Sequence, residues 1–261
     1  MTILRKEEIK SPEGKLAILT PGMGAVATTL MAGVLAVRKG VAKPIGSLTQ
    51  MSTIRLGKRT DNNSPLINDF LPIAKLDQVV FGGWDIFEDN AYEAAANAAV
   101  LDKEDLDKVK DELSAIKPMK AVFDTSYIKL IDGPNKKTGT KWEKAQALRE
   151  DVRSFIKDNG CTRAVAIWCA STEVYREPTV DHQTIEAFEA GLKEDHPDIA
   201  PSQIYAYAFL KENVPFGNGA PNLCMELPCL MELGKQNRVP YGGKDFKTGQ
   251  TLMKTILAVS G

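Results

Sequence analysis

A strand, a glycine-rich turn and a helix follow one another near the start of this chain, and this order constrains the fold most strongly. Residues 16–20 (LAILT) form a short apolar run, GMGAVA follows at residues 22–27, and residues 28–37 are rich in Ala, Leu and Val. Glycines at the G-x-G-x-x-A spacing let the backbone approach a pyrophosphate at a helix N-terminus. The candidate contacts are Gly22, Met23, Gly24, Ala25 and Val26. A tight strand-to-helix turn without a ligand is the alternative interpretation.

Further strands and helices alternate along the chain. We expect strands at residues 79–81, 121–124 and 164–169, which are apolar and β-branched or aromatic. Apolar spacing predicts one helix from Asp102 to about Ile116 and another over residues 142–155, closed by Asn159 and Gly160. This alternation is typical of an open α/β fold with a parallel sheet.

The amino-acid composition argues against several classes of protein. The chain has 261 residues, is 43% hydrophobic and 26% charged, and carries a formal net charge of −1. The chain lacks the excess of basic residues that is typical of nucleic-acid-binding proteins. No apolar run reaches the ~18 residues of a membrane span. The N-terminal residues lack an apolar signal core, so we expect a cytoplasmic location. The four cysteines and two histidines show no metal-ligand spacing, and no metal site is predicted.

The acidic residue that usually follows such a glycine turn by about twenty positions is missing. No Asp or Glu occurs between Glu13 and Asp61, where the chain instead carries Lys15, Arg38, Lys39, Lys43, Arg55, Lys58 and Arg59. This charge pattern alone favours NADP, whose 2′-phosphate needs cations, or another phosphate. The next candidate carboxylate is Asp85 in FGGWDI, at the expected C-terminal end of a strand. Its alternative role is to cap the turn before Asn90.

Hydroxyl and amine side chains supply the remaining candidates. Ser171 and Thr172 follow the strand predicted at residues 164–169, where a dinucleotide would pass, although Ser171 could equally cap a helix. Lys247 and Lys254 are seven residues apart, which on a helix is about 700° of rotation and roughly 10 Å of rise. Both amines would then share one face near a helix N-terminus that attracts anions. A solvated helix face is the alternative.

Six segments together resemble the myo-inositol-1-phosphate synthase family in its bacterial and archaeal form. They are GMGAVATT at residues 22–29, GSLTQM at 46–51, FGGWDI at 81–86, IWCASTE at 167–173, VPFGNGAPN at 214–222 and GKDFKTGQT at 243–251. The resemblance runs from about Lys15 to Ala258, and the last two segments are highly specific in combination.

The resemblance implies a tightly held NAD and the conversion of D-glucose 6-phosphate to 1D-myo-inositol 3-phosphate without net redox change. It also implies that Asp85 takes the ribose hydroxyls, with NAD preferred over NADP. Lys247 and Lys254 would be catalytic, while Asn218, Asn222 and Thr248 would bind the sugar phosphate. Without the resemblance, Asn218 and Asn222 are interpreted as turn-forming and helix-capping residues.

The resemblance also implies a domain organisation. We predict a Rossmann-like NAD-binding domain over residues 1–215, followed by the beginning of an α+β catalytic and oligomerisation domain over residues 216–261, in a homotetramer that serves inositol and phospholipid biosynthesis. Family members continue well beyond Gly261, so we expect a fragment or a truncated relative with little turnover on its own. The alternatives are an NAD(P)-dependent dehydrogenase and an inactive dinucleotide-binding relative.

Overall fold

The computed structural model describes residues 13–246, whose strands form one sheet. The strands β1 to β6 are Lys15–Pro21, Val79–Asp85, Met119–Lys120, Cys161–Trp168, Phe216–Asn218 and Tyr241–Gly242. They lie in the order β3-β2-β1-β4-β5-β6, and every neighbouring pair is parallel. The chain therefore extends the sheet in one direction from β1 and in the other direction from β4. This is the strand order of Rossmann dinucleotide-binding domains. The predicted α/β fold with a parallel sheet is confirmed.

Helices connect and cover these strands. The helices α1 to α10 of the described residues are Ala25–Arg38, Leu48–Met51, Ile67–Phe70, Ala91–Ala98, Lys103–Asp107, Lys110–Ser114, Lys141–Asp158, Ile185–Lys193, Pro201–Lys211 and Pro228–Gln236. The α7 helix begins at a capping box in which Thr140 accepts the Glu143 N–H and the Glu143 carboxylate accepts the Thr140 N–H. It ends before Gly160, whose φ of 62° is left-handed as predicted. No helix in the described part of the chain is long and apolar enough to cross a membrane.

The sheet is covered on both faces, which places its strands in the core. On one face α1, α4 and α6 bury a cluster that includes Met31, Phe81 and Leu113. On the other face α7, α9 and α10 bury a larger cluster that includes Trp84 and Phe209. A parallel sheet covered on both faces has strands that are apolar throughout, which is why the continuous apolar runs at β1 and β4 predicted strands correctly.

Two predicted elements differ from the structure. The strand expected at residues 121–124 is β3, two residues long and earlier, because Ala121 exchanges backbone hydrogen bonds with the following loop and the Val122 N–H donates to the Tyr205 hydroxyl. The single helix expected from Asp102 is two short helices, α5 and α6, interrupted at Val109. The interruption keeps the apolar spacing, since Val109 and its neighbours in the pattern, Leu106 and Leu113, are all buried.

The domain boundary predicted after residue 215 divides the sheet. The strands β5 and β6 lie beyond that boundary, yet β5 pairs with β4 and β6 pairs with β5. Residues 216–242 therefore belong to the same folded unit as the glycine turn, because their backbone hydrogen bonds extend its sheet. A catalytic and oligomerisation domain stays a prediction for the sequence that follows.

Candidate functional site

A cavity of about 330 Å³ opens at the carboxyl ends of the central strands. It lies where β1 and β4 diverge, the position at which ligands bind in open α/β sheets. Its walls come from the glycine turn after β1, the ends of β2 and β4, the segment after β3 and the first turns of α9. Neither the sheet nor any single motif forms it alone, since five segments distant in sequence meet there.

The glycine turn forms the floor of this cavity. Gly22 has a φ of 86°, and a Cβ added to it would lie 2.4 Å from the Cα and N atoms of Ala170. Its N–H donates to the Trp84 carbonyl oxygen at 2.8 Å. Only glycine fits here, because the backbones after β1 and β4 touch and the conformation is left-handed.

Gly24 has a different role from Gly22. It is the N-cap of α1, with a φ of −81°, and a Cβ added to it would meet no atom within 4 Å. A Cβ at this position would therefore enter open space, and Gly24, Ala25 and Val26 all line the cavity. The first turn of α1 carries no acidic residue, so its N–H groups and dipole are available to a phosphate.

Asp85 ends β2 and braces the turn. One carboxylate oxygen accepts the Met23 N–H at 2.7 Å and the other accepts the Phe87 N–H at 3.1 Å. The second bond matches the turn-capping alternative, while the first ties Asp85 directly to the glycine motif. Asp85 also lines the cavity, so its position is compatible with the predicted contact to ribose hydroxyls. That contact stays a prediction.

The cavity wall is largely apolar. Ile86, Phe87, Phe123, Ile128 and Ile131 line it, and Asp85 is the one charged side chain among the described lining residues. Such a surface can hold a planar ring, and it offers no cation to a 2′-phosphate. The residues present therefore fit NAD: a helix start without an acidic residue in its first turn for the pyrophosphate, a carboxylate beside the glycine turn and an apolar wall for a base.

The segment after β4 closes the other side. Cys169, Ala170 and Ser171 line the cavity, whereas Thr172 is exposed just outside the lining. The Cys169 N–H donates to the Pro21 carbonyl oxygen at 2.8 Å, which locks the ends of β1 and β4 together. Burial raises the pKa of the Cys169 thiol to about 11, so this side chain is a neutral wall.

The two candidate asparagines are buried at the end of β5. Asn218 donates from Nδ2 to the Asn222 carbonyl oxygen at 2.9 Å and accepts the Ala220 N–H at 3.1 Å, the turn-forming alternative. Asn222 Oδ1 accepts the Glu173 N–H at 2.9 Å, while its Nδ2 has no partner among residues 13–246. Neither lines the cavity. Their role in substrate binding stays a prediction, and Lys247, Thr248 and Lys254 lie outside the described residues.

Sequence reasoning assigned no role to two residues that shape the site. Asn135 is buried in the loop after β3, and its Nδ2 donates to the Asp85 and Met119 carbonyl oxygens, joining β2 to β3. Glu173 is buried and accepts two hydrogen bonds from Ser202. Only the IWCASTE motif hinted at Glu173, and nothing in the sequence distinguished Asn135 from its polar neighbours.

Comparisons with known proteins point to one family. A family model described as myo-inositol-1-phosphate synthase, and labelled as NAD-binding, matches residues 16–259. An inositol-3-phosphate synthase of Bacteroides thetaiotaomicron is 51% identical over 256 residues, which cover 97% of this chain and 59% of that protein. The Saccharomyces cerevisiae enzyme of that name is 33% identical, with 97% of this chain and 52% of the enzyme covered.

A solved structure shows the same fold. The crystal structure of inositol-3-phosphate synthase from Caenorhabditis elegans superposes with a TM-score of 0.85 and 27% sequence identity, covering 92% of this chain and 51% of that one. The chain thus spans about half the length of the relatives it matches. The label of the matching family model confirms the prediction of NAD as the cofactor.

Proposed function

Because the chain belongs to the myo-inositol-1-phosphate synthase family, we propose that it holds NAD in the cavity and takes part in converting D-glucose 6-phosphate to 1D-myo-inositol 3-phosphate. The observation that carries the proposal is the glycine turn itself. It brings the start of α1, without an acidic residue in its first turn, to the floor of a cavity at the carboxyl ends of β1, β2 and β4. When bound, NAD takes a hydride from the sugar and later returns it.

The position of the basic stretch supports NAD over NADP. Arg38 ends α1, and its guanidinium donates to the Leu76 and Val79 carbonyl oxygens at the start of β2. α1 has 14 residues, so its C-terminus lies about 20 Å from the glycine turn. Lys39 follows Arg38 directly and pairs with Glu112, so these two cations lie at the opposite end of α1 from the glycine turn, and none of Lys43, Arg55 and Lys58 lines the cavity.

The chemistry on the sugar is part of the proposal. Oxidation, enolisation and ring closure need a base and a cation near the developing enolate, and Lys247 and Lys254 are proposed for these roles. In an active full-length protein, Lys254→Ala should reduce turnover by orders of magnitude and leave NAD binding largely intact, because an amine that acts in the transition state contributes little to cofactor binding. From the same family membership we also propose a homotetramer, a cytoplasmic location and a role in phospholipid biosynthesis.

One incubation separates the proposed function from its alternatives. The chain is mixed with glucose 6-phosphate and NAD, and inositol phosphate and NADH are both quantified. Inositol phosphate without net NADH supports the proposal, whereas accumulating NADH identifies a dehydrogenase. NAD retained without any product identifies a binding protein without activity. Native mass spectrometry of the same sample measures bound cofactor and the number of chains.

A further inference from the structure

Two walls of the cavity are joined by one buried carboxylate outside it. Ser171 on the segment after β4 forms one wall, and Pro201 and Tyr205 of α9 form another. Glu173, two residues after Ser171, is 8% exposed. One of its oxygens accepts the Ser202 N–H at 2.8 Å and the other accepts the Ser202 hydroxyl at 2.5 Å.

The start of α9 depends on this contact. Its N-cap is Ala200, which has no capping side chain, and Pro201 at the first position has no N–H. Helix starts leave their first N–H groups without intrahelical acceptors, so the Ser202 N–H needs a partner from elsewhere in the fold. Glu173 is that partner, and it approaches α9 at its positive end.

The backbone of Glu173 reaches a third segment. Its N–H donates to Asn222 Oδ1 at 2.9 Å, in the loop after β5. Glu173 thus stands where the segment after β4, the first turn of α9 and the loop after β5 meet. Because the Glu173 side chain is bonded to α9 and its backbone to the loop after β5, this residue restricts how far the three segments move relative to one another.

We propose that Glu173 is a positioning residue for the dinucleotide site, clamping the segment after β4 to the first turn of α9 so that both cavity walls keep their places. This inference rests on the proposed binding of NAD. Glu173 reaches the cavity only through Ser171 and through Pro201 and Tyr205, and it does not line the cavity.

The surroundings of Glu173 make the clamp sensitive to pH. Burial raises the pKa of Glu173 to about 7, against the opposing hydrogen bonds from Ser202, and the nearby Asp124 raises it further. Tyr127 and Cys224 also face the carboxylate, and Arg176 and Asp198 line the same small cavity beside it. Because the clamped form holds the proton more tightly than a solvent-exposed glutamate of pKa 4.5 does, the clamp loses stability as the pH rises from that value to about 7, and the loss is complete above it.

The test measures NAD affinity at about pH 6 and about pH 8. We expect the wild-type chain to bind NAD about fivefold more weakly at the higher pH. Glu173→Gln should keep the wild-type low-pH affinity at both values, since an amide can accept the Ser202 N–H and donate to its hydroxyl as a protonated acid does. Glu173→Ala should bind weakly at both values.

Two controls separate positioning from general stability. Glu212→Gln changes a carboxylate at the other end of α9, which pairs with Arg149 and Arg153, and should leave the pH dependence of NAD affinity as in the wild type. Hydrogen exchange of the Ser202 amide without NAD should be slow in the wild-type and Glu173→Gln chains and fast in Glu173→Ala. If Glu173→Ala does not fold, the pH dependence of NAD affinity in Glu173→Gln decides whether the inference holds.

The outcomes are distinguishable. A wild-type chain that does not bind NAD contradicts the proposed function and the inference with it. A wild-type chain that binds NAD, beside a Glu173→Gln variant with the same pH dependence, overturns the inference alone. Unchanged NAD affinity in a folded Glu173→Ala chain overturns it as well.

Discussion

Two glycines two residues apart have different physical reasons to be glycine. In Gly22→Ala, the alanine must adopt the left-handed φ of 86°, and its Cβ would lie 2.4 Å from the Ala170 backbone. We therefore expect the unfolding free energy to fall by about 3 kcal/mol. Gly24→Ala meets no protein atom and should cost about 1 kcal/mol or less as a poorer N-cap. Its methyl group stands where a pyrophosphate would approach, so NAD affinity should fall by about tenfold.

Urea denaturation and NAD titration of both glycine variants check this pair. A Gly24→Ala chain that binds NAD as the wild type does would show that the dinucleotide lies elsewhere. A Gly22→Ala chain of normal stability would contradict the close approach of β1 and β4.

Asp85 braces the glycine turn and also lines the cavity, and these roles predict different results. Asp85→Ala should weaken NAD binding by about 1–3 kcal/mol through loss of charge-assisted hydrogen bonds. An NAD analogue without the adenosine 2′-hydroxyl separates the roles. If Asp85 contacts the ribose, the loss shrinks with the analogue; if Asp85 only holds the Met23 N–H, the loss is the same for both ligands.

Asp107→Asn is the control for Asp85, because this carboxylate pairs with Lys103 and Tyr92 away from the cavity. It should leave the affinity for both ligands unchanged. Equal NAD binding by the wild-type and Asp85→Ala chains would remove Asp85 from the site.

At the scale of elements, α9 is the helix at the centre of the larger core cluster. Residues 201–210 are all buried, and Tyr205 and Phe209 contact the Trp84 ring at centroid distances of 5.7 and 5.5 Å. A helix that is buried on every side has no solvated face, and its first turn reaches the cavity. Packing of α9 therefore determines both stability and the shape of the site.

Phe209→Ala should lower the unfolding free energy by about 3–5 kcal/mol, because it removes a ring from a core that cannot collapse fully. Chemical denaturation measures the change. Leu130→Ala is the matched control, since Leu130 is 96% exposed and its loss should be within about 0.5 kcal/mol of zero. Similar stabilities for the two variants would contradict the packing of α9 against Trp84.

At the scale of the whole molecule, the distribution of charge decides which dinucleotide fits. No lysine or arginine is among the described residues that line the cavity, and Asp85 would repel a 2′-phosphate. We expect NAD to bind at least about tenfold more tightly than NADP. Arg55→Ala should leave this ratio unchanged, because Arg55 does not line the cavity.

Competition titrations of the two dinucleotides measure this preference. Preferential NADP binding that is lost in Arg55→Ala would place the basic stretch at the site and contradict the geometry. It would also revive the NADP-dependent alternative that the charge pattern suggested.

Local sequence determined the elements whose pattern is set by short-range rules. The apolar runs of β1 and β4, the glycine turn at Gly22 and the left-handed Gly160 follow from burial, steric fit and backbone conformation, which a few consecutive residues specify. The family resemblance came from six such segments, and the match over residues 16–259 confirmed it. The placement of Asp85 at the end of β2 followed in the same way.

Tertiary structure alone decided which distant residues meet. The shortened β3, the burial of Asn135 and the inclusion of β5 and β6 in the sheet depend on hydrogen-bond partners far away in the chain. The same holds for Glu173, whose partner Ser202 is 29 residues away, and for the absence of cations from the described cavity wall. A residue's own neighbours in sequence specify its backbone preference, but only the folded chain specifies what its polar atoms bind.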